Sequence, residues 1–292
     1  MPTTHHPSKG NLAAGTHSLP VGDAHMVYHV AGSGPVMITH SGGPGVGYAY
    51  LRSAALEEHF TMVYPEPLGT GASGPLPGKA TFDDTYADVL HTLLEHLGVP
   101  RAYLLGHSHG GIVAQRFALR HPDRVAGLVL YSTTPTTDAG FWQSARETAL
   151  AYRHRHPLVP ETADVIEAFR ADSDGMDEAG KSALVRRVLP LYFADFWSRR
   201  EEFAGLRAEV RSWPVSFDST VVDHGPDLHR LRTPTVIVTG RHDFICGPVW
   251  AQMLFDRIPG SRLVILENSG HFASLEEPDA FLAAVLPLLT TV

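Results

Sequence analysis

The stretch "LLGHSHGG", Leu104 to Gly111, decides how the rest of the chain is read. An apolar run, "AYLLGH", leads without a break into G-x-S-x-G and then into "GIVAQRFALRHP", whose apolar spacing is helical. A serine at such a strand-to-helix turn projects its hydroxyl from the end of a sheet. The residues two before and two after it must be small, because the backbone folds back tightly on itself. Gly106 and Gly110 occupy those places. Ser108 is therefore read as a nucleophile. His107 and His109 flank it in the chain but project away from the tip of the turn, so its base is sought elsewhere.

Outward from this unit, short β-branched runs alternate with helical patterns, which predicts an α/β protein built on a mostly parallel sheet. The strand candidates are Pro35 to His40, Phe60 to Pro65, Ala102 to His107, Val125 to Ser132, Thr235 to Gly240 and Arg262 to Glu267, with "HMVYHV" as an antiparallel hairpin arm before them. "TFDDTYADVLHTLLEHLG" reads as an amphipathic helix with Thr81 as N-cap, Leu90, Leu93, Leu94 and Leu97 on its apolar face, and Gly98 closing it. Further helices are expected through "PDAFLAAVLPLL" and from Val249 to Ile258. From residue 135 to residue 231 the strand pattern stops, and the sequence turns helical, Arg-rich and aromatic. This predicts a core of residues 1–134 and 232–292, with 1–15 as a loose polar arm, and a helical cap over 135–231.

The chain has 292 residues, 43% of them hydrophobic, enough for a sizeable core. Its net charge of −8, with 23 Lys and Arg against 31 acids and no basic block, argues against a nucleic-acid partner. No run of 18 apolar residues predicts a membrane span, and the N-terminal residues read as neither signal peptide nor anchor. The lone Cys246 excludes an internal disulfide and a Cys-based zinc site, and suits the cytoplasm. The expectation is a small-molecule or short peptide-like substrate, with no metal, no organic cofactor and no membrane.

The acid and base are sought at the ends of later strands, in the order serine, acid, histidine. "RHDF" after "TVIVTG" offers Asp243, and "NSGHF" after "RLVILE" offers His271. The strand ending at Tyr131 is followed only by "STTP". His242, beside Asp243, would point the opposite way from it and reads as structural. The loop "HSGGPG" follows the strand "VMIT" and is rich in glycine, where backbone N–H groups must approach a substrate. Pro44 has no N–H, so within Gly42, Gly43, Pro44 and Gly45 the expected oxyanion donor is the Gly43 amide, joined by the amide of His109.

These motifs, with "GRHDFICGP" and "SGHFASLEEP", resemble the α/β-hydrolases of the proline iminopeptidase family, over nearly all of the chain from about Leu19 onward. The resemblance implies a mostly parallel eight-stranded sheet flanked by helices, an inserted all-helical cap, and removal of an N-terminal aminoacyl group from a substrate with a free amine. In that family an acidic patch in the cap holds the amine. Here Glu147, Glu161, Glu167, Asp195, Glu201, Glu202 and Glu209 are all candidates. Two departures stand out: Ser41 and His40 replace the usual initial histidine of the glycine loop, and Glu66 and Leu68 stand where an aspartate and an arginine are usual. A narrower resemblance is to aminopeptidase-like amidohydrolases of macrolactam polyketide biosynthesis, which implies a hydrophobic amine as the leaving group. Two other activities use the same serine machinery, carboxylester hydrolysis and carbon–carbon bond hydrolysis, and the fold also serves catalytically silent binding proteins. Ser108 excludes the relatives with an aspartate nucleophile.

Overall fold

The structure is a computed structural model and describes residues 10–76, 81–215 and 220–290. Eight strands form one sheet: β1 (Gly15–Val21), β2 (Ala24–Gly32), β3 (Val36–His40), β4 (Thr61–Pro65), β5 (Ala102–His107), β6 (Val125–Tyr131), β7 (Thr235–Gly240) and β8 (Arg262–Leu266). Their order is β1-β2-β4-β3-β5-β6-β7-β8. β1 and β2 are antiparallel to their neighbours, and from β4 through β8 every pairing is parallel. Among the described residues there are ten α-helices. They are α1 (Ala54–Glu57), α2 (Phe82–Leu97), α3 (His109–Arg120), α4 (Ala139–Arg155), α5 (Thr162–Arg170), α6 (Glu178–Val188), α7 (Ala204–Glu209), α8 (Pro248–Arg257), α9 (Ala273–Glu276) and α10 (Pro278–Val285).

The interior strands are apolar on both sides, because helices cover both faces of a parallel sheet. Met37, Tyr103, Leu105 and Val129 feed one apolar cluster. Ile38, Leu104, Leu128 and Leu130 feed the other. The six predicted parallel strands all form, shorter by one residue where the run begins at Pro35 or Phe60 or ends at Ser132 or Glu267. The expected loose arm is corrected at its end, where Gly15 opens β1; its residues 1–9 lie outside the described ones. That strand escapes the apolar pattern because it is an edge strand, mostly exposed, with Pro20 in it.

Helix α2 closes on Gly98 in the left-handed region, as expected. Thr81 stands at its N-cap with extended backbone, but its hydroxyl donates to Asp84 Oδ2 at 3.1 Å rather than accepting from a helix N–H. Between β6 and β7, α4 to α7 follow one another with no strand of the sheet among them. Two isolated bridges tie this segment and the linker after it to the rest: Val46 with Ser212 and Thr136 with Asp223.

Candidate active site

The loops that follow β3, β5, β7 and β8 meet at the carboxyl ends of the parallel strands, where open α/β sheets gather their ligands. After β5, Ser108 adopts φ 54°, ψ −121°, a conformation that a side chain rarely tolerates. Its N–H donates to the Tyr131 carbonyl at 2.9 Å, and the Gly111 N–H and the Thr133 hydroxyl donate to its own carbonyl at 2.9 and 2.6 Å. A Cβ on Gly106 would lie 2.3 Å from the Gly110 carbonyl oxygen, and one on Gly110 would lie 2.1 Å from that of His40. The two glycines are thus required by close backbone contact, which is the physical content of the G-x-S-x-G spacing.

After β7 and β8, His271 Nδ1 donates to Asp243 Oδ2 at 2.8 Å, with both residues buried. Burial pushes the Asp243 carboxyl upward. The charge of His271 and its hydrogen bond, with the N–H groups of Cys246 and Ile245 at 2.9 and 3.0 Å on Oδ1, outweigh it and hold the group below the ordinary carboxylate range. With its proton on Nδ1, His271 keeps Nε2 free as a base. His242, beside Asp243, is exposed, whereas Asp243 and His271 are buried. The buried Cys246 thiol lines the same chamber as Ser108, and burial pushes its pKa well up.

The glycine loop contributes at the same point. Gly43 has φ 123°, and a Cβ there would lie 2.7 Å from the Gly45 nitrogen, so only glycine fits. The Gly42 N–H is already committed to the Tyr50 hydroxyl at 2.7 Å. Tyr50 in turn donates to His107 Nδ1 at 2.7 Å, and His107 Nε2 donates to the His271 carbonyl at 3.0 Å. One buried chain therefore links the glycine loop, the strand end and the loop of the base. Burial, then the charge of His271, hold His107 well below the ordinary imidazole range, so it stays neutral in this chain. The backbone N–H of His109 lies in the first turn of α3, where N–H groups have no intrahelical acceptor.

Ser108, Gly43 and Ile245 are shared by two chambers. One, of about 210 Å³, is walled by Phe82, His109, Phe141, Trp142 and Cys246. The other, of about 100 Å³, is walled by Tyr50, His107, Leu189, Tyr192, Val210 and His271. Among the described residues, neither wall carries a Lys, Arg, Asp or Glu.

The pattern of the alpha/beta hydrolase fold matches residues 35–278. The chain belongs to the α/β-hydrolase fold family. Among relatives of this hydrolase, the 2-hydroxy-6-oxononadienedioate/2-hydroxy-6-oxononatrienedioate hydrolase of Klebsiella pneumoniae is 28% identical over 264 residues, 88% of each chain. Its counterpart in Escherichia coli K12 is 27% identical over the same span. Among solved structures, a hydrolase from Pseudomonas aeruginosa superposes with a TM-score of 0.71 at 25% identity, covering 95% of this chain and 99% of that one. An enol-lactonase from Burkholderia xenovorans gives 0.70 at 23% identity, covering 94% and 100%, a likeness of fold alone. These relatives carry no peptidase name, so the expected family is met at the level of the α/β hydrolases and not of the proline iminopeptidases.

The seven acidic residues considered as amine ligands lie elsewhere in this hydrolase. None lines either chamber; Asp195 bonds Ser198, Glu202 pairs with Arg199, and Glu209 and Glu161 line separate cavities. The aromatic residues of the same segment divide in two. Phe193, Phe196 and Phe203 pack on one another with ring centroids 4.2 to 6.1 Å apart, whereas Phe141, Trp142 and Tyr192 wall the chambers. The part played by Tyr50 and His107 was not read from the sequence.

Proposed function

We propose that the protein is a serine hydrolase that cleaves an uncharged, largely apolar ester by acyl transfer to Ser108, with residues 135–231 as the cap over the site. The observation that carries the substrate class is the absence of charge from the described walls of both chambers. A carboxylate or ammonium placed there would lose its water without gaining a partner, at a cost of several kcal/mol. In the proposed cycle His271 Nε2 takes the hydroxyl proton as Ser108 Oγ bonds the carbonyl carbon. The oxyanion rests on the Gly43 and His109 amides, each such donor being worth about 2.7–4 kcal/mol in the transition state. His271 then delivers the proton to the departing oxygen as its bond to carbon breaks. Water repeats the sequence and releases the acid. Asp243 holds the imidazole in the required tautomer.

Carbon–carbon bond hydrolysis is the second reading, favoured by the two relatives at 27–28% identity. Their named substrates are diacids, and the uncharged chambers of this chain favour a neutral counterpart. The aminoacyl reading finds no carboxylate in the described walls of the two chambers at Ser108; Glu209, among the candidates, lines the neighbouring cavity beyond Tyr50 and Val210. The test is a panel of short alkyl esters, the dienedioate and amino-acid amides. We expect kcat/KM on esters at least about 100-fold above that on the dianion, and no amide turnover. Preferred turnover of the dianion or of an amide would replace the ester reading.

A further inference from the structure

The smaller chamber shares part of its wall with a second cavity. Tyr50 and Val210, which line it beside His271, also line an outer cavity of about 360 Å³. That cavity is larger than either chamber at Ser108. Its walls come from three parts of the chain: Tyr48 and Ala49 follow the glycine loop, Glu66, Thr70 and Gly71 follow β4, and Leu206, Glu209 and Trp213 come from the stretch between β6 and β7. The first and the last are joined by backbone. The Trp213 N–H donates to the Gly45 carbonyl at 2.8 Å, the Gly47 N–H donates to the Arg211 carbonyl at 3.3 Å, and Val46 bridges to Ser212. A Cβ on Gly47 would lie 3.3 Å from the Trp213 ring, so the indole is held close against the loop.

Three charged residues line the cavity, and two of them are paired, while Glu209 is exposed at its edge. Glu66 accepts from His29 Nε2 at 2.8 Å, and Arg211 donates to Glu178 at 3.1 Å. Tyr48, Ala49, Tyr50, Leu206, Val210 and Trp213 supply the aromatic and aliphatic part of the lining.

We infer that this outer cavity is a binding subsite for an apolar arm on the leaving-group side of the substrate. The side follows from the proton. The departing atom must be within reach of His271, which lines the smaller chamber and is not among the residues lining the larger one. A leaving group that continues past His271 therefore passes between Tyr50 and Val210 into the outer cavity. The acyl part is left the chamber of about 210 Å³ against Cys246 and Phe141. This inference rests on the proposed ester hydrolysis.

The experiment compares two series on the full-length protein: n-alkyl acetates from ethyl to octyl, which lengthen the alcohol, and ethyl alkanoates of matched length, which lengthen the acyl group. Each methylene entering the cavity is expected to raise kcat/KM by about fourfold, the transfer free energy of a buried CH₂ read as a rate ratio. The alkanoates should gain little beyond the length that the acyl chamber holds. Ala49→Trp and Leu206→Trp fill the cavity from opposite walls. Either should remove the gain for octyl acetate, so that the octyl-to-ethyl ratio of kcat/KM falls at least tenfold. A gain confined to the acyl series, or an octyl preference that survives both variants while Ser108 still turns over ethyl acetate, overturns the subsite. If no ester is turned over and Ser108 takes no fluorophosphonate, the hydrolase reading itself fails, and the subsite with it.

Discussion

His107 and His109 differ in what their ring nitrogens meet. Both nitrogens of His107 are bonded, one to Tyr50 and one to the His271 carbonyl. Both nitrogens of His109 are buried without a partner among the described residues, and its ring packs 4.5 Å from that of Phe82. The first arrangement fixes two loops relative to each other, and the second fills space. Tyr50→Phe removes the acceptor of the Gly42 N–H and the donor to His107, so the glycine loop and the base lose their common brace. Small displacements of reacting groups cost up to about 100-fold in rate, and a fall of about that size in kcat with little change in KM is expected. His109→Ala keeps the backbone amide and should lower kcat less than tenfold. Steady-state kinetics on one apolar ester compares the two, and equal losses would contradict this division of roles. The placement of Ser108, Asp243 and His271 just after β5, β7 and β8 was legible because the strands that precede them are apolar runs. The brace was not, because Tyr50 and the His271 carbonyl lie 57 and 164 residues from His107 in sequence, and no local pattern marks them.

Glu276, in α9, straps the helical segment to the loop of the base. Its carboxylate accepts from the Ala194 N–H at 2.7 Å and from the Gly270 N–H at 2.6 Å, and the next N–H, of His271, donates to the Tyr192 carbonyl at 2.6 Å. Burial raises its pKa from an ordinary 4.5 to about 7, against the pull of these N–H groups and of Arg199. An acid raised in the folded state binds its proton there while the unfolded chain has released it. Between about pH 4.5 and 7 this group therefore makes stability fall as pH rises, by on the order of a few kcal/mol in all. Glu276→Gln should flatten that decline, measured by urea unfolding at pH 5 and at pH 8. An unchanged pH dependence would show that Glu276 does not titrate in that window. At this scale the sequence was legible wherever an element was apolar on a regular period. The interior strands, α2, α3, α8 and α10 were read within a few residues. The breaks that divide residues 139–209 into α4 to α7 were not, because the turns between them are polar like much of the surface of α4 and α6.

Across the whole molecule the charge of −8 and the uncharged chambers are separate properties. A charged substrate would be steered or repelled by the summed field, with a rate that changes with salt. An uncharged ester should not feel that field, and kcat/KM is expected to vary less than about twofold between roughly 10 mM and 500 mM NaCl. A steep salt dependence would point to a charged substrate group. The fold was legible at this scale because the G-x-S-x-G unit and the strand–helix alternation agree with each other. The substrate class was not: the glycine loop and the motif around His271 encode backbone geometry and the Asp243–His271 pair, while the side chains that line the chambers lie in no contiguous motif.

The central claim is that Ser108 is the nucleophile and His271 its base. Intact-protein and peptide mass spectrometry after brief treatment with a fluorophosphonate tests it most directly. One adduct, on Ser108, is predicted for the native protein, none for Ser108→Ala, and one formed at least about 100-fold more slowly for His271→Ala. Labelling at another residue, or equal rates with and without His271, would contradict it.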